Sequence, residues 1–263
     1  MLFLRVMPLS RAIVRLPGPT FAAGLTSAAL GAPHLDTALE QHALYCQALR
    51  QCGLSVCTLP ADGAYPDGTF VEDTAVIATR MAIVTRPGAP SRAGEVSSIR
   101  PVLAELELDV HDIEPPGTVD GGDVCLAEEH FFIGVSRRTN EEGARQLAAL
   151  VNSRGYHSSI IDVRRSRSLL HLKSGIAYLG EGRLVVTPEL AQSAQLRGYE
   201  RVLIAVGEEY AANCVRINDH VLIAADHPRF AATLDALGYK LLPLAMSEFR
   251  KMDGGLSCLS LRF

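Results

Sequence analysis

Gly254-Gly255-Leu256-Ser257-Cys258, which only five residues follow, ends a pattern that occurs five times in this 263-residue chain. Each occurrence opens with a residue type suited to catalysis or binding and continues with two short apolar segments. Its anchors are Glu72, Asp120, His171, Cys214 and Cys258, at steps of 48, 51, 43 and 44 residues. A period in this range is typical of propellers, solenoids and other repeat arrays.

The segments after each apolar pair also repeat. The spacing of apolar residues predicts an amphipathic helix and then one more apolar strand in each window. Thr139 or Asn140 is the expected cap of the helix that starts at Glu141-Glu142. The other helices are expected at 94–106, 188–196 and 228–238, and the closing strands at 158–163, 202–206 and 241–245.

The last window has room for only one strand after Cys258. Its missing parts lie at the other terminus, as a strand at 11–16, a helix at 35–52 and a strand at 54–59. The two ends therefore complete one module, which predicts a closed ring of five ββαβ units in a single domain, 1–263. Closure removes the free edge that a small sheet exposes. The alternative is an ordinary α/β sandwich without true repetition.

The composition excludes several classes of protein. Hydrophobic residues at 48% and charged residues at 21% are ordinary for a globular protein, and a net charge of −4 gives no footprint for nucleic acid. No apolar run approaches the length of a membrane span. Arginines at 5, 11 and 15 interrupt the N-terminus too early for a signal peptide. The six cysteines form no CxxC pair and no zinc spacing, which favours reduced thiols in the cytoplasm.

Taken singly, the anchor residues have ordinary structural explanations. A cysteine beside Leu259 is usually a small buried hydrophobe, and a lone His171 is usually a surface or core histidine. Asp120-Gly121-Gly122-Asp123 alone is usually a turn. Their coincidence at equivalent repeat positions changes this, because a ring brings a thiol, an imidazole and several carboxylates to one axis. The mild acidic excess suits a pocket for a cationic small molecule.

Several motifs in order resemble those of the dimethylarginine dimethylaminohydrolases. These enzymes belong to the guanidino-group-modifying superfamily, whose fold is a five-bladed α/β propeller, the pentein fold, with pseudo-fivefold symmetry. The motifs that carry the resemblance are PDGTFVED at 66–73, TRPGAPSR at 85–92, VDGGDV at 119–124, SRRTN at 136–140, LHLKS at 170–174, AANC at 211–214 and MDGGLSC at 252–258.

The resemblance implies hydrolysis of Nω-methylated arginine to citrulline and a methylamine. Cys258 is then the nucleophile that forms a covalent thiouronium. His171 protonates the leaving amine and later activates water, while Asp120 orients His171. Asp73, supported by Glu72, accepts the N–H groups of the substrate guanidinium.

The resemblance also implies how the amino-acid end of the substrate is bound. Arg92 and Arg138 are expected to bind the α-carboxylate, and Asp67 the α-amine. The remaining substrate-binding residues are expected to be Leu25 and Met252, through their carbonyls, Phe70, against the aliphatic stem, and Asp253. No cofactor or metal is implied, and zinc on Cys258 and His171 is expected to inhibit. The expected partner is a small cationic amino acid, without nucleic acid or membrane, and a homodimer stays open.

Two alternatives remain at this point. An arginine deiminase acts on unmethylated arginine, but such enzymes resemble longer chains, and the segment between Asp73 and Asp120 has no room for their helical insertion. A non-catalytic protein that binds arginine derivatives has no use for an intact nucleophile such as Cys258.

Overall fold

The computed structural model describes residues 8–166 and 168–263, and these form five three-stranded sheets. Residues 1–7, the start of the predicted domain 1–263 and of the N-terminal segment that was considered as a signal peptide, lie outside the described residues. The strands are β1 Arg11–Arg15, β2 Ser55–Leu59, β3 Ala75–Ala78, β4 Met81–Val84, β5 Asp109–Asp112, β6 Val124–Ala127, β7 His130–Val135, β8 His157–Asp162, β9 Ile176–Gly180, β10 Arg183–Val186, β11 Glu200–Leu203, β12 Val215–Ile217, β13 His220–Ala224, β14 Lys240–Leu244 and β15 Leu261–Arg262. The helices are α1 Leu35–Gln51, α2 Val96–Glu105, α3 Glu141–Asn152, α4 Pro228–Ala236 and α5 Ser247–Arg250.

All five sheets, here called blades 1 to 5, have one topology. In each, the middle strand pairs antiparallel with one neighbour and parallel with the other. Blade 1 contains β3 to β5, blade 2 β6 to β8, blade 3 β9 to β11 and blade 4 β12 to β14. Blade 5 is β15-β1-β2, in which Ala12 faces Arg262 and Ile13 faces Leu261. The prediction that the two ends of the chain complete one module is confirmed.

The apolar core is divided among the spaces between neighbouring blades. Five clusters of buried side chains join blades 1 and 2, 2 and 3, 3 and 4, 4 and 5, and 5 and 1. Since each blade buries both of its faces against neighbours, only a closed ring satisfies all five. The structure thus confirms the five-bladed α/β propeller over an open sandwich.

Blade 3 departs from the prediction. The helix expected at 188–196 is wrong, because two 3₁₀ turns, Leu190–Gln192 and Ala194–Leu196, take its place. Ser193, which separates them, has an extended ψ of 126°. Leu190 and Leu196 still point into the core, so the segment fills the same space without a continuous helix. The closing strand of this blade also lies earlier than predicted, at Glu200–Leu203.

The other helices agree with the sequence to within one or two residues at most ends. Asn140, rather than Thr139, caps α3, since its side chain accepts a hydrogen bond from the Gly143 N–H. The short α5 was not predicted. Among the described residues, no helix combines the length and apolar character that a membrane crossing requires.

A 3₁₀ turn precedes the first strand of every blade, and these turns contact one another around the centre of the ring. They hold or adjoin the five anchor residues. The turns are Val71–Thr74, Gly121–Asp123, Leu172–Ser174, Glu209–Ala212 and Ser257–Leu259.

Candidate active site

Two glycines allow the first three turns to meet closely. A Cβ at Gly121 would lie 2.0 Å from the Glu72 carbonyl oxygen. A Cβ at Gly122 would lie 2.7 Å from His171 Nδ1 and 2.9 Å from Asp73 Oδ1. A larger residue at Gly121 therefore displaces the backbone of the first turn, and one at Gly122 separates the imidazole of His171 from Asp73.

His171 is bound to Asp120, as the sequence predicts. Its Nε2 lies 3.0 Å from Asp120 Oδ2, and both side chains are buried. The other oxygen of Asp120 accepts the Gly88 N–H at 2.8 Å. Asp120 thus has a fixed orientation and fixes the ring in turn. Burial opposes ionisation of Asp120, but the hydrogen bond and charge of His171 outweigh it and lower the pKa of Asp120.

The charge on His171 is set by three carboxylates. Burial alone lowers the pKa of His171, but these carboxylates outweigh it and raise that pKa to about 9. Among them, the largest single contribution is the charge of Asp73, followed by the charge of Asp123, and Asp120 acts both through its hydrogen bond and through its charge. At neutral pH His171 is therefore an imidazolium, which is an acid ready to donate a proton.

Asp123 is a member of this group that the sequence interpretation missed. It is fully buried, and its carboxylate accepts the Leu172 N–H at 2.9 Å and the Ser136 hydroxyl at 2.6 Å. Burial raises its pKa to about 6. Asp123 thus holds the turn that carries His171. The available signal was an acid next to the apolar Val124, where a buried carboxylate needs partners.

The carboxylate of Asp73 affects the pKa of both reactive side chains, His171 and Cys258. Its Oδ1 accepts the Gly122 N–H at 2.8 Å, and its Oδ2 is 2.6 Å from Arg92 Nη1. Its charge acts on His171 and also on Cys258. Asp73 is therefore the acid shared by the imidazole and the thiol.

Cys258 is partly buried, and its Sγ accepts the Gly255 N–H at 3.4 Å. Desolvation, followed by the charges of Glu72 and Asp73, raises the pKa of Cys258 to about 12. The free protein thus holds a neutral thiol beside these two carboxylates. A bound cation offsets those negative charges and lowers the cost of forming the thiolate.

The carboxylate of Glu72 is occupied by protein groups. Its Oε1 receives Lys173 Nζ at 2.6 Å and Arg262 Nη2 at 2.8 Å, and its Oε2 receives the Ser257 hydroxyl at 2.6 Å. The side chain is almost fully buried. Glu72 therefore faces neighbouring blades, whereas Asp73 faces the imidazole.

Arg92 is also buried and paired inside the protein. Besides Asp73, it binds Glu95 through two nitrogens, at 2.9 and 2.8 Å, and the Phe70 carbonyl at 3.1 Å. Arg138, the other expected carboxylate ligand, lies with Nη1 3.7 Å from Asp120 Oδ2. Both arginines thus border the acid group, and Arg92 has most of its N–H donors engaged.

The loop at 17–34 lies over the side chains expected to bind the amino-acid end. The Leu25 N–H donates to both oxygens of Asp67, at 3.0 and 3.1 Å. The Ser27 hydroxyl donates to Asp253 at 3.0 Å. Met252 is buried. The structure brings Leu25, Asp67, Met252 and Asp253 into one region, and their contacts with a substrate stay a prediction.

The Phe70 ring belongs to an aromatic cluster beside this region. It packs edge-on against Phe249 at 6.3 Å and tilted against Phe21 at 6.1 Å between ring centroids. A Cβ at Gly254 would lie 2.2 Å from the Phe70 ring, so this glycine permits the close approach of the ring to the nucleophile loop.

Three ligand atoms, from Asp73, Asp120 and His171, lie within 4.8 Å of one another and are of the kinds that bind metals. Arg92 already brings a positive charge to Asp73, and His171 carries a proton at neutral pH. A metal at this position has to displace both charges.

The chain is similar to known proteins in both sequence and structure. A family model described as arginine deiminase matches residues 97–203. The chain is 42% identical to the N(G),N(G)-dimethylarginine dimethylaminohydrolase of Pseudomonas aeruginosa, over 95% of this chain and 98% of that protein.

Two solved structures are closely similar. One is the Pseudomonas aeruginosa enzyme as a cysteine-to-serine mutant with citrulline, at 40% identity and a TM-score of 0.94, covering 98% of this chain and 100% of that one. The other is a dimethylarginine dimethylaminohydrolase as a histidine-to-glycine mutant in an adduct with S-methyl-L-thiocitrulline. It has 40% identity, a TM-score of 0.93 and coverage of 97% and 100%.

Proposed function

The chain belongs to the dimethylarginine dimethylaminohydrolase family, and we propose that it hydrolyses Nω-methylated L-arginine to L-citrulline. Asymmetric dimethylarginine releases dimethylamine in this reaction, and monomethylarginine releases methylamine. The observation that carries the proposal is an imidazolium, His171, held among carboxylates, with Asp73 shared between it and the thiol of Cys258. Citrulline and S-methyl-L-thiocitrulline, which relatives bind, are the product and a substrate-like compound of such a reaction.

Binding of the substrate begins with its charge. A guanidinium is planar and permanently cationic, so a buried carboxylate such as Asp73 can hold it in a fixed orientation. We assign the α-carboxylate to Arg92 and Arg138, which border the acid group. Glu72 acts indirectly, because its oxygens are bound to Lys173, Arg262 and Ser257.

The other end of the substrate lies under the loop at 17–34. Asp67 and the carbonyls of Leu25 and Met252 bind the α-amine, and Phe70 packs against the aliphatic stem. Asp253 holds the loop through Ser27. Substrate entry requires this loop to move, because its hydrogen bonds to Asp67 and Asp253 cover the binding region.

The first chemical step forms a bond between Cys258 Sγ and the guanidinium carbon. The Cys258 thiol releases its proton to solvent when the substrate cation binds, because His171 is already protonated, and the resulting thiolate attacks the guanidinium carbon. The bond from carbon to the methylated nitrogen then breaks. His171 donates its proton to that nitrogen, so the amine leaves neutral and a thiouronium remains on the cysteine.

The second step removes the thiouronium. His171, now neutral, takes a proton from water, and the oxygen attacks the same carbon. The carbon–sulfur bond breaks, and the proton that remains on the attacking oxygen passes to the sulfur, which gives citrulline and the Cys258 thiol. Asp120 keeps the imidazole in one orientation through both steps and stabilises its charged form.

The experiment measures products from three substrates. Purified protein is incubated with asymmetric dimethylarginine, monomethylarginine or arginine, and citrulline, methylamines and ammonia are quantified. We expect dimethylamine and citrulline in equal amounts from asymmetric dimethylarginine.

The alternative is arginine hydrolysis, which the match of residues 97–203 to an arginine deiminase model favours. Citrulline and ammonia from arginine, with no product from the methylated substrates, would establish it instead. No product from any of the three, together with measurable binding, would establish a non-catalytic binding protein.

Two further proposals concern the setting of the enzyme. A cytoplasmic location is favoured by the six free cysteines, since such thiols persist in a reducing compartment. Whether the protein forms a homodimer is tested by sedimentation of the purified protein.

A further inference from the structure

Ser257, the residue before the nucleophile, has all of its polar atoms bound. Its N–H donates to Asn213 Oδ1 at 2.8 Å, and its carbonyl accepts Arg262 Nη1 at 2.9 Å. Its hydroxyl donates to Glu72 Oε2 at 2.6 Å and accepts from Asn213 Nδ2 at 3.0 Å. We call Glu72, Asn213 and Arg262 the Ser257 clamp.

The clamp draws on three blades, and Lys173 links it to a fourth. Glu72 precedes blade 1, Asn213 precedes blade 4, and Arg262 lies in β15 of blade 5. Lys173, before blade 3, joins them twice, because its Nζ binds Glu72 at 2.6 Å and its carbonyl accepts Asn213 Nδ2 at 3.0 Å. Buried polar networks in which every group is satisfied are rigid. The position of Ser257 is thus determined by the ring as a whole.

Asn213 also contacts the second residue that holds the sulfur. A Cβ at Gly255 would lie 2.4 Å from Asn213 Oδ1, so the amide packs directly on this glycine. Gly255 in turn donates its N–H to Cys258 Sγ. One amide side chain therefore bounds the nucleophile loop on both sides of Leu256.

We propose that Asn213 is a positioning residue for Cys258. It holds Gly255 and Ser257 so that the sulfur meets the guanidinium carbon at the correct distance and angle. The proposal rests on the proposed function for its kinetic consequence, although the placement of the thiol is a property of the protein alone. A displacement of about 1 Å in a reacting group can lower a rate about 100-fold.

The test compares Asn213→Ala with a matched control, Asn218→Ala. Asn218 follows β12 and also makes three hydrogen bonds to distant backbone, with the Leu9 N–H at 2.9 Å, the Leu9 carbonyl at 3.0 Å and the Cys52 carbonyl at 2.9 Å. None of these reaches the nucleophile loop. Both changes remove a hydrogen-bonded amide next to β12, buried at Asn213 and partly buried at Asn218, so they separate loss of stability from loss of position.

We expect Asn213→Ala to lower kcat about 100-fold with KM changed less than about threefold, and Asn218→Ala to leave kcat within about threefold. The second readout is the rate at which chloroacetamide alkylates Cys258 at fixed pH, followed by peptide mass spectrometry. It does not require turnover. This rate falls in Asn213→Ala and not in Asn218→Ala.

Equal kcat values in the two variants, with equal alkylation rates, overturn the proposal and leave Asn213 with a structural role alone. If the wild type hydrolyses no arginine derivative but the difference in alkylation persists, the proposed function fails and the positioning role stands. If Asn213→Ala does not fold, Ser257→Ala replaces it. This variant keeps the backbone and deletes only the hydroxyl, and we expect kcat to fall about tenfold; an unchanged kcat contradicts the clamp.

Discussion

The two halves of the site are built in different ways. The imidazole half, defined as His171, Asp73, Asp120 and Asp123, is an assembly of charges in which three buried carboxylates surround one ring. The thiol half, defined as Cys258 with the loop before it and Asn213, is held by a hydrogen-bond network of backbone, amide, hydroxyl and charged groups. The first half sets a protonation state, whereas the second sets a position.

This difference follows from the chemistry that each half performs. His171 must give up a proton and take it back, so its charged form needs stabilisation by fixed carboxylates. Cys258 must become a thiolate only when a cation is present, so the charges nearest to it raise its pKa until then. Changes of charge should therefore damage the imidazole half most, and changes of shape the thiol half.

Removal of the nucleophile should have the largest effect on activity. We expect Cys258→Ser to lower the rate of citrulline formation about 10⁴-fold or more, because a hydroxyl is a far weaker nucleophile than a thiolate. Thermal unfolding, measured in parallel, should be almost unchanged. Activity within tenfold of the wild type would show that the thiol is not the attacking group.

Asp120→Asn removes a negative charge from the imidazole half while the side chain keeps nearly the same shape. We expect kcat to fall about 10³-fold, because the neutral amide neither orients the ring correctly nor stabilises its charge. Steady-state kinetics measure the effect. Asp112→Asn, at a surface pair with Arg100, is the control and should change kcat less than about twofold. Similar losses in both variants would refute a specific role for Asp120.

Asp123→Asn removes the charge but keeps an acceptor for the Leu172 N–H, while its amide NH2 faces the Ser136 hydroxyl, which can accept a hydrogen bond. The reactive form, a thiolate with an imidazolium, holds one proton fewer than the pair of neutral Cys258 thiol and protonated His171. The pair loses its first proton near the pKa of His171, about 9, so kcat/KM should rise with pH and level off there. In Asp123→Asn the levelling should begin about one pH unit lower. A profile that does not move leaves Asp123 a purely structural residue.

The same pKa predicts how stability depends on pH. The folded pKa of His171, about 9, lies above its ordinary value of 6.5. Its contribution to the free energy of unfolding is therefore complete below pH 6.5 and is lost as pH rises through 9. The difference in melting temperature between the wild type and His171→Gln should shrink over this window; a constant difference contradicts the raised pKa.

The smallest expected effect tests how the thiol half senses charge. Chloroacetamidine and chloroacetamide have similar size, but only the first is cationic. We expect it to alkylate Cys258 about tenfold faster, relative to the same pair with glutathione, because Glu72 and Asp73 favour a cation. Asp73→Asn should reduce this preference. A ratio equal to that for glutathione would show that the carboxylates do not act on the thiol.

Periodicity and anchor spacing were sufficient to predict the ring, because each blade repeats the same apolar pattern. The completion of blade 5 by both ends of the chain was predictable because too few residues follow Cys258 to complete a module. Blade 3 was mispredicted because Ser193 divides an apolar segment that still fills the core without a helix.

The site was predictable in outline only. His171 and Asp120 share equivalent repeat positions, which indicated their contact. The partners of Glu72 lie 101 and 190 residues away, at Lys173 and Arg262, and no local pattern indicates such pairs. No sequence pattern indicated a role for Asn213 either, since its bonds to Ser257 join separate blades.

The most direct measurement concerns the covalent bond to Cys258. Turnover of asymmetric dimethylarginine is stopped with acid within milliseconds, and the cysteine-containing peptides are weighed by mass spectrometry. We expect one transient adduct, on Cys258, with the mass of the substrate less dimethylamine, which decays as citrulline forms. Citrulline formation with no adduct on Cys258, or with an adduct on another cysteine such as Cys214, would contradict this prediction.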